Sequence, residues 1–136
     1  MSIKVAINGY GRIGRAFQRA LWESGVSHEL SVVHINEPAD LDSMVYLTRY
    51  DSTHGRFPGQ VERRDDQLVI GGQPISISHA HAPEGVDWAA LKIDLLVECS
   101  GQYSTRPQLT RLLEAGVPRL LLSHPGGTAS DVDATM

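Results

Sequence analysis

The chain has 136 residues, of which 41% are hydrophobic, and this is enough apolar material for the core of one ordinary domain. Its 12 basic and 16 acidic residues give a formal net charge of −4, which argues against the basic surface of a protein that binds nucleic acid or anionic membranes. A single cysteine excludes an internal disulfide, and the lack of a signal-peptide pattern or a long apolar run predicts a soluble protein of the reducing cytoplasm.

The first part of the chain predicts a strand, a turn, a helix and a second strand. Residues 3–7 form a short apolar run, which is typical of a buried strand. Apolar side chains recur every three or four positions in residues 13–24, so this segment predicts a helix that Gly25 can end in a left-handed conformation. Residues 30–35 predict the next strand.

The rest of the chain continues to alternate between helices and strands. The predicted segments are a helix over residues 40–50, a polar loop over 51–57, short antiparallel strands between 60 and 79, a buried strand over 94–99, a helix from Thr105 to about residue 115, and a strand over 119–123. Because helices alternate with strands, we expect an α/β domain whose mostly parallel sheet is covered on both faces. The strands between residues 60 and 79 form a small antiparallel insertion in it.

A glycine-rich turn lies between the first strand and the first helix. Residues 9–14 read Gly-Tyr-Gly-Arg-Ile-Gly, with the spacing of a dinucleotide-binding fingerprint in its required strand–turn–helix context. Gly9 permits the tight turn, Gly11 lets the backbone approach a pyrophosphate, and Gly14 lets the helix pack closely on the sheet. The free N–H groups at the helix start would then face the anion. The alternative interpretation is a glycine-rich turn without a ligand.

An acidic residue follows the second predicted strand. Glu37 lies about 20 residues beyond the turn, where a carboxylate can accept hydrogen bonds from the adenosine ribose. Its charge would repel a 2′-phosphate, and no arginine follows it, so the pattern favours NAD over NADP. The alternative is an exposed acidic residue that merely precedes Pro38.

Two segments together resemble a known family. Residues 5–15 and residues 50–57 are similar to the N-terminal half of the glyceraldehyde-3-phosphate dehydrogenase family, and the resemblance covers essentially the whole chain. It implies a Rossmann-type doubly wound, mostly parallel sheet, an NAD-binding domain spanning residues 1–136, and a phosphorylated aldose as the substrate of a homotetrameric full-length enzyme. Residues 21–25, 35–37 and 123–135 are closer to the branch of the family that oxidises D-erythrose 4-phosphate.

Three functions are considered, and the resemblance implies the first two. The first is oxidation of D-erythrose 4-phosphate to 4-phosphoerythronate, which would feed pyridoxal phosphate synthesis. The second keeps the chemistry and changes the substrate to glyceraldehyde 3-phosphate. The third, from a different class, is a nucleotide-binding module without catalysis.

The resemblance also implies further cofactor contacts. Beyond the glycines and Glu37, the implied contact residues are Arg12 and Ile13 for the pyrophosphate, the position of His81, Ser100 and Gly101 at one strand end, and Ser123 at the next. The family usually has arginine where this chain has His81. The alternative for the serines is that they are ordinary strand-end turns.

The family's catalytic cysteine motif does not occur in this sequence. We therefore expect the nucleophile, its histidine and the catalytic domain to lie beyond Met136, and the chain alone to be inactive. Cys99 ends an apolar run, so it is expected to be buried and inert. His54 is expected to brace its loop, and His124 has no evident partner. The histidines and the cysteine show no metal-ligand spacing, so no metal site is predicted.

Overall fold

A computed structural model describes residues 3–25, 29–51, 55–103 and 105–122. Strands β1 to β9 span Ile3–Asn8, Leu30–Asn36, Tyr50–Asp51, Gly55–Arg56, Val61–Arg64, Gln67–Ile70, Gln73–Ser78, Leu95–Glu98 and Leu120–Leu122. Helices α1 to α4 span Arg12–Ser24, Leu41–Arg49, Trp88–Leu91 and Arg106–Glu114, and a 3-10 turn covers Pro83–Gly85.

Seven of the strands form one sheet, in the order β5-β6-β7-β2-β1-β8-β9. Strands β7, β2, β1, β8 and β9, in this spatial order, pair in parallel with one another. Strands β5, β6 and β7 form an antiparallel meander. The chain passes from β1 to β2, continues to the edge strand β5, returns through β6 to β7 beside β2, and then crosses to β8 on the other side of β1. This reversal creates the crevice at the carboxyl ends of the strands where α/β sheets bind ligands.

Apolar residues cover both faces of the sheet, as a doubly wound fold requires. On one face, Ile7 belongs to a cluster under α1 and α2, and on the other its neighbour Ala6 packs against Trp88 and Leu112. This alternation follows from the two-residue period of a strand, which sends successive side chains to opposite faces. The predicted α/β fold, with a mostly parallel sheet and a small antiparallel insertion, is confirmed.

The details correct several expectations. Residues 51–57 were expected to be a loop, but Tyr50–Asp51 pairs with Gly55–Arg56 in a short antiparallel sheet. Helix α3 and the 3-10 turn were not predicted, because four and three residues are too few to show a helical period. Strand β7 also pairs in parallel with β2, so the antiparallel strands extend the main sheet.

Helix α1 is rotated slightly from the orientation that its apolar pattern predicts. Phe17 and Leu21 pack against the core as expected, but Ile13 is 52% exposed and Gly14 is buried. Position 14 has to be glycine, because a Cβ there would overlap the carbonyl oxygen of Gly9. The close approach at this glycine therefore decides the rotation of the helix.

The other end of α1 packs on the antiparallel strands. Trp22 lies against Gly59 and Gly71, where an added Cβ would overlap the indole ring, and its ring is 5.8 Å from that of Phe57. Arg19 lies over the Phe57 ring and donates to the carbonyl oxygens of Gly55 and Arg56. These contacts fasten the antiparallel part of the sheet to α1.

Two further expectations can be compared with the described residues. Within them, no helix has the length and apolar character needed to cross a membrane. The described part of the chain also contains no cluster of three or more histidine, cysteine or acidic residues that could hold a metal ion.

Candidate functional site

The glycine-rich turn is shaped by contacts that exclude side chains. Gly9 has a φ of +91°, and a Cβ on it would lie 2.7 Å from the backbone nitrogen of Ser100. Gly14 lies directly beneath the carbonyl of Gly9. Two of the three glycines therefore allow the turn, the end of β8 and the start of α1 to meet.

The third glycine faces open space. No atom lies within 4 Å of the position of a Cβ on Gly11, which precedes α1 in an extended conformation. Among the described residues, the N–H groups of Gly11, Arg12 and Ile13 have no acceptor, and no acidic side chain occupies the first turn of α1. Backbone N–H groups without acceptors, next to a segment that no side chain covers, can bind an anion such as a pyrophosphate.

The side chain of Glu37, which follows the neighbouring strand, is hydrogen-bonded to the glycine-rich turn. Strand β2 ends at Asn36, so Glu37 directly follows it. Its Oε1 accepts a hydrogen bond from the Tyr10 N–H at 2.7 Å, and its Oε2 accepts one from the Ala39 N–H at 2.9 Å. Since each carboxylate oxygen can accept more than one hydrogen bond, a ribose hydroxyl can still be bound. Glu37 therefore also orders the turn, a role that its position in the sequence did not indicate.

Tyr10 anchors the turn to α2 through its side chain. The hydroxyl of Thr48 donates to the Met44 carbonyl oxygen, so the Tyr10 hydroxyl, 2.8 Å from Thr48 Oγ1, is the donor in that pair. Burial raises the pKa of the Tyr10 phenol to about 12. The phenol thus remains a neutral hydrogen-bond donor, and its ring points into the core and not toward the cleft.

Buried polar side chains join the carboxyl ends of four strands. Asn8 ends β1 and donates to Glu98 Oε1 at 2.6 Å, and it accepts from Asn36 at the end of β2 at 2.9 Å. Asn36 also accepts from the hydroxyl of Ser78 at the end of β7 and donates to the carbonyl oxygen of Ala80. The chain of hydrogen bonds satisfies buried groups and fixes the spacing of the strand ends.

An open cleft of about 270 Å³ lies above this network. Its lining residues are Asn8, Gly9, Gly11, Asn36, Glu37, Pro38, Ala80, His81, Pro83, Cys99, Ser100 and Gln102. They follow β1, β2, β7 and β8, so the cleft is at the predicted crevice. A smaller cavity, between α1 and β2, is lined mainly by core residues and lies away from these strand ends.

The structure brings five of the ten expected cofactor-contact residues to the lining of this cleft. Gly9, Gly11, Glu37, His81 and Ser100 line it.

The other expected contacts lie around the cleft or outside the described residues. Arg12 and Ile13 are exposed in the adjoining first turn of α1, and Gly14 packs beneath the turn. Gly101 is exposed next to Ser100, with a φ of +76°. Ser123 lies outside the described residues, as do His54 and His124.

Cys99 is not buried as expected. It follows the last residue of β8, is partly exposed and lines the cleft. The apolar run suggested a buried position, but the strand ends at Glu98, one residue earlier. The sequence reasoning also missed Asn8, Asn36 and Glu98. Each is a polar residue at the end of an apolar strand run, and this pattern could have identified them.

The strand order, the glycine-rich turn and Glu37 define a dinucleotide-binding domain of the doubly wound α/β class. A family model described as the NAD binding domain of glyceraldehyde 3-phosphate dehydrogenase matches residues 3–106. The chain belongs to this family. Its cofactor is NAD, and the family is one of NAD-dependent dehydrogenases.

The residues of the cleft fit this cofactor. Gly11 leaves space that a Cβ would fill, and the unpaired amides beside it suit a pyrophosphate. When bound, NAD supplies hydride acceptance to a dehydrogenase. The described residues of this chain can bind and orient the cofactor.

Proposed function

We propose that this chain holds NAD for an oxidoreductase acting on a phosphorylated aldose, with Glu37 accepting the adenosine ribose hydroxyls. The observation that carries the proposal is the placement of the Glu37 carboxylate 2.7 Å from the N–H of Tyr10, inside the glycine-rich turn. A carboxylate so close to a pyrophosphate-binding turn meets the ribose next to that pyrophosphate. The same charge disfavours a ribose that carries a 2′-phosphate.

We further propose that Gly9, Gly11, Arg12 and Ile13 surround the pyrophosphate, and that Gly14, packed beneath the turn, lets the helix start come close to it. Ile13 supports this assignment because its side chain is 52% exposed next to the unpaired amides, where a bound cofactor would cover it.

The remaining proposed contacts lie on either side of the pyrophosphate. His81 follows β7 on the Glu37 side of the cleft, and Ser100 and Gly101 follow β8 on the opposite side. Ser123, outside the described residues, is proposed as a contact from the family resemblance alone.

Calorimetric titration of NAD and NADP into the chain tests this assignment. Glu37→Gln keeps the size of the side chain and one acceptor oxygen, but removes the charge. We expect the preference for NAD over NADP to fall about tenfold, close to the 1.4 kcal/mol that corresponds to a factor of ten. Asp42→Asn, on the exposed first turn of α2, is the matched control and should leave the preference unchanged. An unaltered preference in Glu37→Gln would contradict the ribose role.

For the substrate we propose D-erythrose 4-phosphate, oxidised to 4-phosphoerythronate, a precursor in pyridoxal phosphate synthesis. Residues 21–25 and 35–37 support it through their resemblance to that branch of the family. Glyceraldehyde 3-phosphate is the second candidate, because the matching family model carries the name of that enzyme. Steady-state rates of NAD reduction by the natural gene product, measured with each aldehyde, decide between them. A higher kcat/KM for glyceraldehyde 3-phosphate would overturn the first assignment.

A further inference from the structure

Glu98 is a buried carboxylate directly beneath the cleft. It is the last residue of β8 and is 0% exposed. Its Oε1 lies 2.6 Å from Asn8 Nδ2 and 2.7 Å from Ser100 Oγ, and both of these residues line the cleft. A single layer of side chains therefore separates the carboxylate from any ligand in the cleft.

Glu98 accepts hydrogen bonds as a carboxylate does, and no basic side chain among the described residues is paired with it. Three donors converge on Oε1, namely the Asn8 amide, the Ser100 hydroxyl and, at 3.4 Å, the Ser100 N–H. Among the described residues, Oε2 has no hydrogen-bond partner, and no basic side chain forms an ion pair with Glu98. The charge of a buried carboxylate acts on its surroundings more strongly than that of a carboxylate screened by solvent.

The order of the strands places Glu98 on one side of the cofactor. If Glu37 after β2 takes the adenosine ribose and the turn after β1 takes the pyrophosphate, the nicotinamide half continues over β8. Neighbouring strands lie about 4.8 Å apart, so this direction carries the ring toward the end of β8 and away from Glu37. This step rests on the proposed function.

We propose that the Glu98 carboxylate makes the cleft prefer the oxidised form of the cofactor. The nicotinamide ring of NAD⁺ carries a positive charge, and the ring of NADH is neutral. A carboxylate charge beneath the ring attracts the positively charged ring of NAD⁺ but not the neutral ring of NADH. It therefore strengthens the binding of NAD⁺ relative to that of NADH. Glu98 is in this sense a positioning and tuning residue, because it touches the cofactor only through Asn8 and Ser100.

The experiment compares dissociation constants of NAD⁺ and NADH, measured by calorimetry on the whole chain and three variants. Glu98→Gln keeps the shape and loses the charge, and we expect the preference for NAD⁺ over NADH to fall about fivefold to tenfold. Glu98→Asp keeps the charge, so it should retain the preference even where both forms bind more weakly. Glu114→Gln makes the same chemical change at an exposed position at the C-terminal end of α4, outside the lining of the cleft, and should leave the preference unchanged.

A purely structural role for Glu98 would weaken both forms of the cofactor equally. The proposal is overturned if Glu98→Gln changes the preference by less than about twofold, or if Glu114→Gln changes it as much. If Glu98→Gln does not fold, Glu98→Asp is the deciding variant. Loss of the preference for NAD⁺ over NADH in a variant that keeps the charge would also contradict the proposal. Failure of the unaltered chain to bind either form would instead refute the proposed function, and this inference with it.

Discussion

Glycines serve opposite purposes in two regions of this molecule. Next to the antiparallel strands, Gly59 and Gly71 leave space beside their Cα atoms, and the indole ring of Trp22 fills that space. In the turn before α1, Gly11 leaves space that no protein atom occupies within 4 Å. The first arrangement stabilises the fold and the second leaves room for a ligand. At Gly11 the empty space adjoins the unpaired N–H groups of α1 and the cleft, and this combination, not the glycine alone, separates it from the packing glycines.

The largest expected effect is on the packed side of this comparison. Gly71→Ala places a Cβ against the ring of Trp22 at a φ of +58°, so it combines overpacking with backbone strain. We expect the free energy of unfolding in urea to fall by about 3 kcal/mol. Gly72→Ala is the matched control, because it has a φ of +82° but nothing near its Cβ, and it should cost about 1 kcal/mol. Equal losses in the two variants would show that Trp22 does not press on this turn.

The second prediction concerns the pH dependence of stability that comes from a buried histidine. His34 is buried, and its ring nitrogens lie 2.6 and 2.8 Å from the hydroxyls of Ser76 and Ser78. Burial lowers the pKa of His34 from 6.5 to about 4. Between these values the unfolded chain binds more protons than the folded one, so the stability contributed by neutral His34 is complete above pH 6.5 and is lost as the pH falls toward 4.

We expect His34 to account for a loss of about 2 kcal/mol in unfolding free energy between pH 7 and pH 4. Urea denaturation at a series of pH values measures it. His34→Gln should reduce the dependence of the unfolding free energy on pH between pH 7 and pH 4. His81 is exposed, so His81→Gln should leave this dependence as it is in the unaltered chain. A slope that persists in His34→Gln would assign the titration to other groups.

The smallest expected change in stability lies in the open turn. Gly11→Ala adds a methyl group to vacant space, so the only cost is that alanine is a poorer N-cap than glycine, and the free energy of unfolding should fall by no more than about 1 kcal/mol. The same methyl group would meet the pyrophosphate, and NAD affinity should fall about tenfold in a calorimetric titration. Full NAD affinity in this variant would place the cofactor away from Gly11 and would remove the contrast between the two regions.

Local patterns were sufficient to predict much of the fold. The period of apolar residues predicted strands and helices such as β1, β2 and α2, because burial on one or both faces imposes that period. It failed at α3, which is one turn long, and at the first turn of α1, where Ile13 is exposed. There the tight contact between Gly14 and the Gly9 carbonyl outweighed the hydrophobicity of Ile13.

The candidate site was predictable where a motif has fixed spacing. The glycine-rich turn and Glu37 follow from such spacing, and the structure brings them together. The link between Asn8, Asn36 and Glu98 did not follow, because these residues come from three strands that lie far apart in the sequence. Only the order of the strands makes them neighbours.

The sequence by itself determined that this protein is an α/β domain with a turn suited to a dinucleotide, since periodicity and glycine spacing are local properties of the chain. The tertiary structure decided which groups surround the cleft: it exposed Cys99, fastened Tyr10 to Thr48, and placed the charge of Glu98 beneath the crevice. The reason is physical. Burial and electrostatic interaction depend on distances in space, and the sheet sets those distances by joining strand ends that the sequence keeps apart.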